Sequence, residues 1–284
     1  MIKENYSRES MRRKKSSLIA GTCLFILLFV IVTWGKQNNN NNNSMDQEKL
    51  PAPLILVLCI GGGEGALYDF YRDWWRQMSL RVKTHNIVVY TVRYSVDAPG
   101  PYLDGKNRMI LLPGQDSIVP GALKSTIEAL EWLRKEKVYG YNSKFLLRTN
   151  LSTFWKLFML LPWLQREEMQ QDILYAGLKY HIHQEEFIPG GYLFLNYKTW
   201  NMLIDNHTDL DYTAVDDISI GRWMRSRNIP ITYNLPVCII EDVGRAKQFT
   251  DKSICQDNFV FRVKTGDEWT DAKLWFGLFN HYYV

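Results

Sequence analysis

The stretch that most constrains the fold is Leu54 to Ile60, LILVLCI, a continuous apolar run stopped by Gly61-Gly62-Gly63. Such a run suits a strand covered on both faces, as in a parallel sheet with helices on either side. The chain then repeats the theme. Ala66 to Leu80 carries Phe70, Tyr71, Trp74 and Trp75 at helical spacing, and Ile87 to Val92 is rich in β-branched residues, which completes a βαβ unit. An apolar run at Met109 to Leu112, the turn-rich PGQDSIVPG, an amphipathic helix over Gly121 to Lys137 and a strand over Lys144 to Thr149 continue the alternation. The class is α/β, with a mainly parallel sheet flanked by helices. Farther on, Phe154 to Leu164 reads as an apolar helix and Ile173 to Asn196 as strands around Gly190-Gly191. Ala214 to Ser226 reads as a helix and Ile231 to Tyr233 as a short strand.

The N-terminal part follows different rules. Leu18 to Trp34 is apolar without a charge until Lys36, about the length a bilayer core asks of a helix. Arg8, Arg12, Arg13, Lys14 and Lys15 precede it, so the positive-inside bias leaves the N-terminus in the cytosol. The expected division is a cytosolic tail over 1–16, a transmembrane signal-anchor over 17–35, an Asn-rich stem over 36–50 and a lumenal domain over 51–284. A cleaved signal peptide is the rival reading, but the run is long for one and no small-x-small cleavage site precedes Gln37. A single-pass type II protein of the Golgi or another secretory membrane is expected. The net charge of +4 owes much to the tail, so charge gives no support for a nucleic-acid partner. With Cys23 in the span and Cys59 in the first strand, Cys238 and Cys255 are left for a lumenal disulfide. Sequons stand at Asn42, Asn150 and Asn206, of which the stem site and Asn206 are the expected glycosylation sites.

In an open α/β sheet, ligands sit beyond the carboxyl ends of the strands. Three such places carry candidate residues. Gly61 to Gly63 either lets backbone approach a nucleotide or simply makes a tight turn, since it matches neither the dinucleotide fingerprint nor the P-loop. Arg148-Thr149-Asn150-Leu151-Ser152 ends a strand with a cation and short polar groups before an expected helix start. Arg148 there is either an anion partner or an ordinary surface residue, with Ser152 or Thr153 as helix cap. Asp216 and Asp217 open a helix, as a candidate general base or as charges that complement the helix dipole. The other acidic pattern, Asp209-Leu210-Asp211, lies in a polar loop and is a weak metal candidate; His181 and His183 alternate as on a strand without a further ligand.

Taken in order and spacing over Phe145 to Arg225, these segments resemble the β-1,3-galactosyltransferase and fringe class of inverting glycosyltransferases. Arg148-Thr149-Asn150-Leu151-Ser152-Thr153-Phe154 is similar to that class's Lys-Thr-Asp-Asp-Asp-Val-Phe string. Pro189-Gly190-Gly191-Tyr192 resembles its Ser-Gly-Gly-Gly-Tyr segment, and Asp216-Asp217-Ile218-Ser219-Ile220-Gly221 its Glu-Asp-Val-x-x-Gly string. The resemblance implies a GT-A-like, Rossmann-type fold and a nucleotide-sugar donor bound by Gly61, Gly62, Arg148, Thr149, Asn150, Ser152, Gly190, Gly191 and Asp216. It also implies a glycan or glycoprotein acceptor, with Asp217 as base. All three acidic positions of the metal motif are replaced, by Asn150, Leu151 and Ser152, so manganese is doubtful and no metal site is expected. The leaving diphosphate then needs another partner, for which Arg148, Arg93, Arg222 and helix-terminal N–H groups are candidates. Asn150, at the mouth of the implied donor pocket, is expected to be unglycosylated. The alternative function is a non-catalytic glycan- or protein-binding membrane protein on a degenerate GT-A fold.

Overall fold

Apolar runs and amphipathic stretches alternate in space as they do in the chain. The computed structural model describes residues 52–82, 86–117, 119–182, 184–235, 237–241, 258 and 260–283. The first strand, β1 (Ile55–Ile60), is buried along its whole length. Helix α1 (Ala66–Val82) leads to β2 (Ile87–Ser95), then to β3 (Tyr102–Asp104), β4 (Met109–Pro113), α2 (Gly121–Lys135) and β5 (Phe145–Asn150). Strand β1 lies between β2 and β5 and pairs parallel with both, and β2 pairs parallel with β4. The crossover through α1 moves one way along the sheet and that through α2 moves back. Right-handed connections therefore put the two helices on opposite faces, and both faces of LILVLCI are covered.

The later elements are β6 (Thr153–Trp155), α3 (Leu160–Leu164), β7 (Tyr175–Gly177), the hairpin β8 (Tyr180–Ile182) and β9 (Glu185–Phe187), β10 (Leu193–Asn196), α4 (Tyr197–Asp205), α5 (Asp216–Ser226), β11 (Tyr233–Asn234), β12 (Cys238–Ile240), β13 (Val260–Val263) and α6 (Glu268–Tyr283). The main sheet runs β11-β7-β10-β5-β1-β2-β4-β3. Its centre is parallel, while β10 is antiparallel to β5 and β7, and β3 to β4. Strand β10 runs the other way because the chain re-enters the sheet at its carboxyl edge through Gly190-Gly191. Helix α2 packs beside α4 and α5, and α1 beside α6. The α1–α6 seam is aromatic: the fully buried Trp275 stacks at an angle on Tyr71, 5.1 Å between ring centres, and meets Phe154 edge-on at 5.2 Å. Truncating a tryptophan so placed costs about 3–5 kcal/mol.

A smaller sheet, β12-β13-β6, brings the C-terminal part of the chain to the end of β5. It corrects two expectations. Phe154 to Leu164 is not one helix: Phe154 and Trp155 are in β6, paired antiparallel with Phe261 and Val260, a 3-10 turn spans Leu157–Met159, and only Leu160–Leu164 is helical. Nor does a helix begin after Ser152, so no helix-terminal N–H groups are offered there. Strand pairing with residues a hundred positions downstream overrides the local apolar pattern. The expected tail, membrane span and stem lie outside the described residues, as do Cys23, Asn42, His183 and Cys255. Among the described residues, no helix is long and apolar enough to cross a membrane.

Candidate functional site

Strand β5 ends in the middle of the sheet, and its fourth residue places a guanidinium inside the protein. Arg148 is 2% exposed. A charge so desolvated needs a counter-ion and hydrogen bonds. Its Nη2 pairs with the carboxylate of Asp216, the first residue of α5, and its Nη1 donates to Asn150 Oδ1 at 2.9 Å. The Nε finds no acceptor among the described residues. Closure of this pair depends on Gly190, where a Cβ would stand 1.6 Å from Arg148 Nη1 and 2.8 Å from Asp216 Oδ2. The strand end, the Gly-Gly turn and the acidic helix start, separate in sequence, thus meet at one point.

The two neighbouring carboxylates have different surroundings. Asp216 faces Arg148; Asp217 is half-buried and accepts the Ile218 N–H at 2.9 Å. Burial pushes the Asp217 carboxyl above its usual range and the charge of Asp216 adds to this, outweighing the Ile218 amide and Arg148. Tyr175, on β7, has its phenol pushed up chiefly by burial, with the Asp217 charge contributing, and accepts the Ile188 N–H at 3.1 Å. Val215 caps α5 without a side-chain hydrogen bond, so Asp216 and Asp217 supply the negative charge that suits a helix start. Adjacent acids set apart by environment are the arrangement that acid–base chemistry uses.

Other candidates hold the frame. Thr149 is fully buried; its hydroxyl donates to Gly191 O and accepts from Trp155 Nε1, both at 2.9 Å. Leu151 is buried beneath Gly61, where a Cβ would lie 2.3 Å from its Cδ1, and its carbonyl accepts from Trp75 Nε1 at 3.1 Å. Arg72 donates to Gly63 O at 3.1 Å and to Gly61 O at 3.4 Å, which anchors the glycine turn. Gly62 stays exposed beside the Asp116 carboxylate, and Ser152 accepts the Val263 N–H through its carbonyl at 3.2 Å.

Some residues named from the sequence lie apart from this cluster or are tied up elsewhere. Arg222 pairs with Glu185 at 3.1 Å and Asp211 at 2.9 Å on the exposed side of α5. Arg225 and then Arg222 hold the Glu185 carboxyl below its usual range. Arg93 donates through Nε to Tyr94 O at 3.3 Å. Asp209 pairs with Arg227, so the Asp209-Leu210-Asp211 carboxylates answer to different arginines. His181 lies 3.4 Å from Glu186. Asn206 ends α4 and donates its amide to Met202 O at 2.8 Å. Cys238 is disulfide-bonded, while its expected partner Cys255 lies outside the described residues.

Sequence reasoning missed Arg262 and gave Thr153 only the part of a helix cap. Register places Arg262 of β13 opposite Thr153 of β6, and Arg262 Nη1 donates to Thr153 Oγ1 at 3.3 Å. Both stand by Gly191: a Cβ there would lie 2.8 Å from Thr153 Oγ1, 3.5 Å from Asn150 Nδ2 and 3.9 Å from Arg262 Nη1. No local signal marks an arginine in a strand so far downstream.

The donor set does not fit a hard divalent cation where the resembled family holds one. Asn150 Oδ1 is taken by a guanidinium, Leu151 is apolar and buried, and Ser152 is neutral. Among the described residues no three His, Cys, Asp or Glu side chains gather as a metal-binding group.

No protein-family model matches the chain, and no curated protein does. A solved structure described as a glycosyltransferase involved in the glycosylation of the major capsid of PBCV-1 aligns with 78% of this chain and 99% of its own. It is 10% identical, with a TM-score of 0.46.

Proposed function

We propose that this protein is an inverting glycosyltransferase that moves a sugar from a nucleotide-sugar to a hydroxyl of a glycan or glycoprotein. The observation that carries this reading is the split pair at the head of α5, where Asp216 is neutralised by Arg148 of β5 and Asp217 keeps a raised proton affinity near the Tyr175 phenol of β7. In the proposed step the acceptor hydroxyl gives its proton to the Asp217 carboxylate. Its oxygen bonds to the anomeric carbon from the face opposite the donor phosphate. The bond from that carbon to the diphosphate breaks, and the nucleoside diphosphate leaves with the electron pair. Arg148 is a positioning residue: its contact with Asp216 fixes the helix start that carries Asp217. The donor would lie along the carboxyl edge from Gly62 to Asn150 and Gly191. A type II anchor in a secretory membrane, with this domain in the lumen, completes the proposal and rests on residues 1–50 of the sequence.

The full-length chain in detergent, incubated with a panel of nucleotide-sugars with and without manganese and with excess chelator, tests the reading through nucleotide release. Release that survives chelator and is lost in Asp217→Asn is the expected result. Absence of release and of nucleotide binding under every condition favours the second reading, a non-catalytic binder on the same scaffold. The specific support for that reading is the loss of all three acids at Asn150-Leu151-Ser152.

A further inference from the structure

Helix α2 buries Leu123, Ile127, Leu130 and Leu133 but leaves the indole of Trp132 half in water. That ring lines an open cleft of about 660 Å³, to which the β3–β4 edge of the sheet contributes the exposed Pro101 and Pro113. The volume is one that small-ligand sites have, about 300–1,000 Å³. The polar part of the lining is rich in acceptors, with Glu128, Glu131 and Glu136. Its cations are already answered: Arg134 pairs with Asp205 at 2.6 Å and donates to Asn201 at 3.3 Å, and Lys135 lies 4.0 Å from Glu136. The carboxylates have capacity to spare. Glu128 accepts from the Tyr94 phenol at 2.9 Å and stands 3.6 Å from Lys124, and Glu131 lies 3.3 Å from His207 Nε2, whereas a carboxylate accepts about four hydrogen bonds.

Flat apolar walls rimmed by acceptors suit a ligand with apolar faces and hydrogen-bond donors at its edge. A sugar ring is built that way, with C–H groups on its faces and hydroxyls around it. An anion such as a nucleotide diphosphate is repelled by the carboxylates. We propose that this cleft binds a neutral saccharide unit of the acceptor glycan, away from the hydroxyl that reacts, with its ring against Trp132 and its hydroxyls donating to the carboxylates of Glu128 and Glu136. The word acceptor rests on the proposed transfer reaction; saccharide binding does not. The cleft is well placed for that part, because α2 packs beside α5, which carries Asp217. Tyr94 links Glu128 to Asp116, which stands beside Gly62, and His207 links Glu131 to Tyr212 in the loop before α5. Contacts remote from the reacting centre supply binding energy that positions the acceptor.

Saturation-transfer NMR titrations of the full-length chain, in a detergent without a sugar headgroup and without nucleotide, test the cleft. The probes are maltopentaose, cellopentaose, mannopentaose and chitopentaose, with pentalysine as the cationic alternative. The expected result is saturable binding of at least one saccharide that weakens about tenfold in Trp132→Ala, while Trp132→Phe, which keeps a flat ring, retains most of it. The double variant Glu128→Ala with Glu136→Ala keeps the indole, removes two carboxylates that reach solvent, and should weaken binding about tenfold as well. Unfolding midpoints of all variants separate lost binding from lost folding, and the double variant carries the test if Trp132→Ala does not fold. Binding that these changes leave intact overturns the cleft, as does absence of binding by every saccharide, or binding of pentalysine in their place. Each of those results leaves Asp217-dependent transfer standing, whereas a parent that binds saccharide through Trp132 but releases no nucleotide keeps the cleft and removes the transfer.

Discussion

Helix α5 makes two kinds of ion pair, one at its head and one on its flank. At the head, Asp216 meets Arg148 in the core, with side chains 15% and 2% exposed; on the flank, Arg222 and Arg225 meet Glu185 and Asp211 in solvent. Both pairs join a guanidinium to a carboxylate. What differs is water. Removing water makes a lost partner expensive at the head, because the remaining charge cannot be solvated. On the flank, solvent screens each charge and replaces a missing partner, so those pairs orient the β8–β9 hairpin without deciding the fold.

The comparison can be broken at several points. The largest expected effect is on rate: Asp217→Asn should lower nucleotide release about 10²–10⁴-fold, the usual contribution of a general base. A variant within a few-fold of the parent would remove Asp217 from the chemistry. Next is the core pair. Arg148→Met, which strands Asp216, should cost about 3–5 kcal/mol by denaturant unfolding, and the double change with Asp216→Leu should return most of it. A single variant as stable as the parent would mean that water reaches the pair. Gly190→Ala forces a methyl into the same pair and should cost about 1–3 kcal/mol by overpacking, measured by the same unfolding midpoints.

A subtler effect concerns pH. Protonation disables a base, so kcat/KM should fall on the acid side with a midpoint above the ordinary Asp value of about 3.9, because burial raises the Asp217 carboxyl. A midpoint at or below the ordinary value would contradict that environment. The stability sign follows from the same shift. A group with a raised folded pKa contributes stability at low pH that is lost as pH rises through that value. Asp217→Asn should therefore gain in thermal midpoint relative to the parent at neutral pH and show no gain in acid. The smallest expected effect is on the flank: Arg222→Ala should leave both release and the unfolding midpoint unchanged within error, and a clear loss in either would make the two ends of α5 alike.

Much of the scaffold is legible in the sequence because its signals are local. The run LILVLCI dictates a strand covered on both faces, the helical spacing of Phe70, Tyr71, Trp74 and Trp75 gives α1, and the acidic start of α5 falls at Asp216 as its pattern suggests. The stretch after Ser152 misleads because Phe154 and Trp155 are apolar enough for either state, and only their pairing with β13 chooses the strand. The site divides along the same line. Arg148, Gly190, Asp216 and Asp217 stand out as residues with unusual chemistry at strand or helix ends, whereas Arg262 carries no such mark.

What the sequence determined by itself was which segments alternate, where strands stop and which polar residues wait at those stops, since each is set by neighbours within a few residues. Tertiary structure alone decided which arginine is buried and cancelled, which stays in water, and that Arg262 comes to lie beside Thr153 and Gly191. Charge energetics depend on desolvation and on partners brought from far along the chain, and neither quantity is a property of a local stretch of residues.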